Sequence, residues 1–267
     1  MLRALARLST HPYKASTKLD ANRQAPMSDT IPVTDINKQL SNSSPYQILE
    51  YALEEHDNIA VSFSGAEDVV LVHMAAQIKP GVKVFCLDTG RLHPETYQFM
   101  EEVRKAYNIS LELLNPDTQQ VQKLVAEKGL YSFYEDQHQE CCGIRKVGPL
   151  RNKLLTLDAW VTGQRKDQSP NTRAEIPVVQ VDRLFSRENE TLIKYNPLAN
   201  WTSKQVWDYI RLESIPFNGL HKQGFTSIGC EPCTRPILPG EHERSGRWWW
   251  EEATKKECGL HSGNIEK

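Results

Sequence analysis

The stretch Ile59-Ala60-Val61-Ser62-Phe63-Ser64-Gly65-Ala66-Glu67-Asp68-Val69 decides how the rest of the chain is read. Its short apolar run, Ile59 to Phe63, predicts a buried strand, and the polar turn from Ser64 to Asp68 leads into a helix beginning near Val69. Backbone N–H groups of such a turn converge at a helix N-terminus. They form an anion cradle if the turn is functional and a plain connection if it is not. Ser62 and Ser64 add hydroxyl donors, and Gly65 allows the backbone to approach a ligand closely.

The same alternation continues outward. Strands are predicted at Val82 to Leu87, Leu111 to Leu114, Ala159 to Thr162 and Val178 to Val181, with helices starting at Ser44-Pro45 and covering 69–78 and 95–107. This pattern predicts an α/β domain around a buried parallel sheet. Beyond Trp201, Thr202 or Ser203 caps one helix through Leu212, after which Gly, Pro and charged residues dominate. The organisation expected is a disordered leader over 1–34, an α/β nucleotide-binding domain over 35–212 and a C-terminal segment over 213–267. The leader carries Arg3, Arg7, Lys14 and Lys18 before its first acid, Asp20, a superficial likeness to an organellar targeting peptide.

Bulk properties narrow the function classes. A formal net charge of -2 over 267 residues gives no global attraction to nucleic acid. The longest apolar runs fall far short of the roughly 20 residues a membrane-spanning helix needs. Six unevenly spaced cysteines in a chain of this size point to a reducing compartment, the cytoplasm, rather than a disulfide scaffold.

Two further loops follow parallel strands and should share the sheet edge with the first. One is Leu87-Asp88-Thr89-Gly90-Arg91, where Asp88 suits either a ribose hydroxyl or a turn cap. The other runs from Gly163 to Arg173 and concentrates Arg165, Lys166 and Arg173. The cysteines divide as well. Cys141-Cys142 and Cys230-Glu231-Pro232-Cys233 supply four thiols for an iron-sulfur cluster or a closed zinc site, and adjacent cysteines fit separate corners of a cube better than one tetrahedral ion. Lys146 and Arg235 lie close to these pairs and could either extend the metal's field to a ligand or neutralise thiolates. Cys86 reads as a core residue, Cys258 as a nucleophile or a bystander, and Trp248-Trp249-Trp250 mainly as packing, with at most one or two rings on a ligand.

Taken in order, these motifs with the terminal Glu257-Cys258-Gly259-Leu260-His261 resemble the adenylylsulfate (APS) reductases, relatives of the phosphoadenylylsulfate (PAPS) reductases within the ATP-pyrophosphatase-like superfamily. The resemblance covers roughly Pro45 to His261. It implies an ATP-pyrophosphatase-like fold with a C-terminal extension, and reduction of APS to sulfite and AMP in sulfate assimilation through a Cys-S-sulfonate on Cys258. It also implies one [4Fe-4S] cluster per subunit on Cys141, Cys142, Cys230 and Cys233, serving electrostatics rather than electron supply. Substrate contacts expected by this likeness are Ser62, Ser64, Gly65, Glu67, Asp68, Leu87, Asp88, Gly90, Arg91, Lys146, Gly163, Arg165, Arg173, Arg244, Arg247 and His261. Arg244, Arg247 and His261 would also lower the pKa of Cys258.

Cys258 lacks a resolving partner on this reading, so an external dithiol, thioredoxin or glutaredoxin, is implied. The sequence carries no thioredoxin-like Cys-x-x-Cys domain after the tail, which suggests the bacterial type; oligomerisation is left open. Ala66 and Val69 replace residues of the usual ATP-splitting loop, weakening the rival readings of a sulfate adenylyltransferase-like or tRNA-thiolating enzyme. PAPS reduction is the nearer alternative.

Overall fold

Successive side chains along the strands point to opposite faces of the sheet, as a pleat with period two requires. In the computed structural model, which describes residues 32–251 except Asn189, β1 (Ile59–Ser62), β2 (Val84–Leu87), β3 (Leu111–Leu114), β4 (Ala159–Val161), β5 (Val179–Val181) and β6 (Ile193–Tyr195) form one sheet. Ile59, Val61, Val84, Cys86, Ala159, Val161, Ile193 and Tyr195 enter the larger core. Their neighbours Ala60, Phe85, Trp160 and Leu192 enter a second core on the opposite face. Both faces are therefore covered, which is why these strands read as unbroken apolar runs.

The helices that cover them are α1 (Val33–Leu40), α2 (Pro45–Glu55), α3 (Ala66–Ile78), α4 (Pro94–Tyr107), α5 (Thr118–Lys128), α6 (Gln139–Cys142), α7 (Gly148–Leu154), α8 (Pro170–Arg173) and α9 (Ser203–Leu212). Capping boxes fix two of their starts. Ser44 Oγ accepts from Gln47 N–H at 3.3 Å while Ser44 N–H donates to Gln47 Oε1 at 2.9 Å, and Thr202 with Gln205 repeats the arrangement at 3.2 and 2.8 Å. Val69 to Ala75 in α3 are all buried, so this helix is enclosed rather than amphipathic. A π turn, Gly143–Val147, joins α6 to α7, so Cys141 and Cys142 begin one continuous helical path.

The strand order is β3-β2-β1-β4-β6-β5, parallel throughout except where β5 runs antiparallel to β6. The parallel sheet expected from sequence is present, with one further strand, β6, and one antiparallel pair added. β6 escapes sequence reading because Lys194 interrupts its apolar pattern. Lys194 is nevertheless 2% exposed, with Nζ 5.1 Å from the Trp160 ring centroid. α5, capped by Asp117, is also additional, and α3 starts three residues before the expected Val69. Among the described residues no helix is long and apolar enough to cross a membrane.

Connections leave β1 toward β2 on one side and return to β4 on the other, creating a topological switch point between β1 and β4. Ligands of open α/β sheets lie outside the carboxyl ends of the strands at such a point. The segment after α9 contributes to the same edge: Cys230 bridges to Leu92, and Glu231 N–H donates to the Arg91 carbonyl at 2.8 Å.

Candidate active site

Asp68 lies in the first turn of α3 and turns its carboxylate back over the helix start. Oδ2 accepts from Ser64 N–H at 2.9 Å, Ser64 Oγ at 2.7 Å and Gly65 N–H at 3.1 Å. Oδ1 accepts from Gly163 N–H at 2.9 Å, so one side chain ties the loop after β1 to the loop after β4. Burial pushes its pKa up to about 6, while the hydrogen bonds from Ser64, Gly163 and Gly65 favour the charged form. Only glycine fits at 163. An added Cβ would lie 2.5 Å from Asp68 Oδ1 and 2.6 Å from Glu67 Cβ.

Beside this clamp, Arg165 is 0% exposed and shared by three carboxylates. Nε and Nη2 donate to Glu67 Oε1 at 3.0 and 2.8 Å, Nη2 also reaches both Glu243 oxygens at 3.1 and 3.0 Å, and Nη1 donates to Asp167. Burial works against the guanidinium charge, but Glu67 and Glu243 outweigh it and the Arg165 pKa rises. Burial likewise pushes Glu243 upward, with Arg165 opposing it. The C-terminal segment is thereby fastened to the loop after β1.

The loops enclose a cleft of about 1410 Å³, counting its open mouth. Its walls include Ser62, Ser64, Gly65, Glu67, Asp68 and Leu87 from one half, and Lys146, Gly163, Arg173, Arg244 and Arg247 from the other. Phosphate-sized anions would meet the start of α3 together with these four cations. Trp248, weighed above mainly as packing, also lines the cleft, is 0% exposed and has a φ of 40°. That left-handed backbone is costly for a bulky residue and persists only where its surroundings fix it. Here Trp248 N–H donates to the Cys233 carbonyl at 3.1 Å, Arg247 lies 4.5 Å from the ring centroid, and the His138 ring stacks at 4.2 Å.

Next to the cleft is a pocket of about 280 Å³ lined by Cys141, Cys142, Cys230 and Cys233 with Arg91, Arg145, Lys146, His138 and Phe133. Lys146 and Cys230 belong to both cavities. Thr89 Oγ1 lies 3.2 Å from Cys230 Sγ, and Arg145 Nη1 donates to the Thr89 carbonyl at 2.7 Å. None of the four is in a disulfide; burial pushes Cys141 up and Cys233 up to about 12. Among the described residues, no three or more His, Cys, Asp or Glu side chains converge as one metal ion would require.

Several expected contacts take other places. Arg165 is not a wall of the cleft, because its donors are taken by carboxylates. Asp88 serves the turn reading: it accepts from Gly90 N–H and Tyr97 OH, both at 2.8 Å. Gly90 has φ 69°, the left-handed conformation this turn requires, and neither residue lines the cleft. Arg91 belongs to the cysteine pocket, its guanidinium 5.1 Å from the Phe133 ring centroid. Cys86 is 2% exposed, as a core thiol should be. Cys258 and His261 lie outside the described residues. Sequence reasoning missed His138 and Arg145, which flank Cys141-Cys142 but carry no motif of their own, and Glu243, 78 residues from its partner Arg165.

A family model described as the phosphoadenosine phosphosulfate reductase domain matches residues 58–236. The chain is 55% identical over 242 residues to adenosine 5'-phosphosulfate reductase of Pseudomonas aeruginosa, spanning 90% of this chain and 91% of that protein. It is also 55% identical over 237 residues to the chloroplastic 5'-adenylylsulfate reductase 1 of Arabidopsis thaliana, of which it spans 51%. The crystal structure of phosphoadenylyl-sulfate reductase from Candida auris, a phosphate complex, aligns with a TM-score of 0.64 at 27% identity over 79% of this chain and 100% of that one. FMN adenylyltransferase from Candida glabrata has the same fold, with a TM-score of 0.51 at 14% identity over 90% of this chain and 84% of that one.

Gly163→Ala should destabilise the chain by about 1 to 3 kcal/mol through overpacking and weaken AMP binding, whereas Gly219→Ala, which meets nothing within 4 Å, should do neither. Urea unfolding and AMP titration measure both. Asp68 supplies a pH signature, because its folded pKa of about 6 exceeds the ordinary 3.8. The folded chain holds a proton that the unfolded chain has released, so this group's contribution to stability falls as pH rises from about 4 to about 6 and is flat above. Asp68→Asn should lower stability but flatten that slope in denaturation series across pH.

Proposed function

The chain belongs to the phosphoadenosine phosphosulfate reductase domain family, and from that membership we propose that it reduces adenylylsulfate to sulfite and AMP with thioredoxin as electron donor. The structural observation that carries this reading is the shared wall: Lys146 and Cys230 border both a nucleotide-sized cleft and a pocket of four thiols. In this scheme the loop after β1 receives the AMP portion at the start of α3. Arg173, Arg244, Arg247 and Lys146 surround the sulfate and neutralise its charge.

The thiolate of Cys258 attacks the sulfate sulfur. The bond from that sulfur to the phosphate oxygen breaks, its electron pair leaves with AMP, and Cys-S-SO3⁻ remains. A thiolate of thioredoxin then attacks Cys258 Sγ, releasing sulfite and forming a mixed disulfide that the second thioredoxin thiol resolves. Two electrons pass from the dithiol, and sulfur falls from the sulfate to the sulfite state. A cytoplasmic location fits this need for reduced thiols, and the described cysteines form no disulfide.

The thiol pocket suits a [4Fe-4S] cluster held by Cys141, Cys142, Cys230 and Cys233. Cys142, Cys230 and Cys233 are buried and Cys141 half-buried, adjacent cysteines fit separate corners of a cube better than one zinc, and Arg91, Arg145 and Lys146 offset thiolate charge. Bound there, the cluster supplies a fixed, polarisable charge that tunes the field at the sulfate.

On this reading kcat/KM for APS exceeds that for PAPS, and Cys258→Ser abolishes sulfite formation while AMP still binds. A preference for PAPS, or sulfite production by the serine variant, would refute the substrate or the nucleophile respectively. Anaerobically purified protein should be brown, with iron and sulfide near four per chain as a [4Fe-4S] cluster requires. Colourless protein containing zinc would remove the cluster from the scheme.

A further inference from the structure

Three of the cations in the cleft wall gather around one indole. Arg247 Cζ lies 4.5 Å from the Trp248 ring centroid, and Lys146 Nζ and Arg244 Cζ each lie 6.0 Å from it. Lys146 comes from the π turn after the paired cysteines and the two arginines from the C-terminal segment. Like charges drawn to one place repel, and more strongly as water is excluded. Arg247 shows the difficulty most plainly. It is 7% exposed, forms no salt bridge among the described residues, and its Nε finds no hydrogen-bond partner there. Nη1 makes only long contacts, 3.5 Å to Ser227 Oγ and 3.4 Å to the Ile228 carbonyl. Its close neighbours are flat surfaces instead: the indole, and the backbone of Gly229, where an added Cβ would stand 2.6 Å from Arg247 Cζ. The indole is itself held, by the Trp248 N–H bond to the Cys233 carbonyl at 3.1 Å and by the His138 ring stacked at 4.2 Å with an interplanar angle of 21°.

We propose that Trp248 is a positioning residue for the reaction, its electron-rich ring holding Lys146, Arg244 and Arg247 together where the sulfate of the substrate binds. The inference rests on the reading of the cleft as the adenylylsulfate site. An indole face attracts cations through its quadrupole, most strongly where water is excluded. It offsets their mutual repulsion without taking up their N–H donors, which stay available to an anion. A carboxylate in its place would consume those donors, as Glu67, Asp167 and Glu243 consume those of Arg165. The cations are thereby assembled before the substrate arrives, and charge shifting during sulfur transfer meets donors that need not reorganise. Arg165 and Trp248 solve the same problem in opposite ways, one for a cation that braces the site and one for cations that serve it.

The test uses the full-length chain purified anaerobically, with ADP as an unreactive probe whose β-phosphate stands in for the sulfate of APS. The parent chain should bind ADP more tightly than AMP. In Trp248→Leu, Kd for ADP should rise about tenfold, the loss of one desolvated cation–π contact, while Kd for AMP stays within about twofold. kcat/KM for APS should fall in parallel, and Trp248→Phe, with its weaker quadrupole, should lie between Trp248→Leu and the parent. Tryptophans bearing one to four ring fluorines, placed at position 248 alone, keep the indole shape while draining its π face. ADP affinity should weaken stepwise along that series, which a packing role would not produce. The proposal is overturned if the fluorine series is flat, if the parent chain does not prefer ADP to AMP, or if both affinities fall equally in Trp248→Leu and Trp248→Phe. Should Trp248→Leu fail to fold, the fluorine series still decides. If the parent chain makes no sulfite from APS while ADP affinity descends with fluorination, the functional reading fails and the role of Trp248 stands.

Discussion

A buried guanidinium shared by three carboxylates is the contact on which the site depends. Arg165 joins Glu67 at the start of α3, Asp167 in its own loop and Glu243 in the C-terminal segment, with its side chain 0% exposed. Removing one partner from a buried ionic network leaves charge uncompensated and typically costs about 3 to 5 kcal/mol, so the network tolerates little rearrangement. Glu243 immediately precedes Arg244, and Arg247 follows in the same turn structure. Holding Glu243 against Arg165 therefore brings two cations from the far end of the chain to the mouth of β1 and β4. Arg165 serves the site without standing in its wall.

The second constraint is the close join between cleft and thiol pocket. A π turn over Gly143–Val147 follows the paired cysteines, and both Arg145 and Lys146 within it are buried. A π turn widens the helix locally and re-aims its side chains, which is why such turns recur at functional positions. Here Lys146 reaches both cavities while Arg145 holds the Thr89 carbonyl beside Cys230. The thiol pocket and the cleft are thus separated by no more than the Lys146 side chain and Cys230, which line both.

Much of this was legible locally. The run from Ile59 to Asp68 predicts a strand, a turn and a helix because apolar burial and helix-start chemistry act over a few residues. The cysteine pairs announce a thiol site because two ligands close in sequence are close in space. The ion pairs of Arg165 were not legible for the converse reason: a cation in a polar loop looks the same in sequence whether it meets a ligand or three carboxylates, two of which lie 98 and 78 residues away. Lys194 hid a strand because its amphipathic stem and the Trp160 face together satisfy a charge that sequence patterning counts as exposed.

The sequence by itself determined the α/β class, the loops that meet at one sheet edge, the thiol set and the chemistry expected of Cys258, since each depends on residue type and short spacing. Tertiary structure decided which cations face the cleft, which are consumed in holding it, and that Trp248 is wedged between the two cavities. It also decided that Glu251 is pinned to His138, 113 residues away. Those outcomes depend on pairings between distant segments, where burial makes an unpaired charge prohibitive and so selects one arrangement among many that the same local sequences would allow.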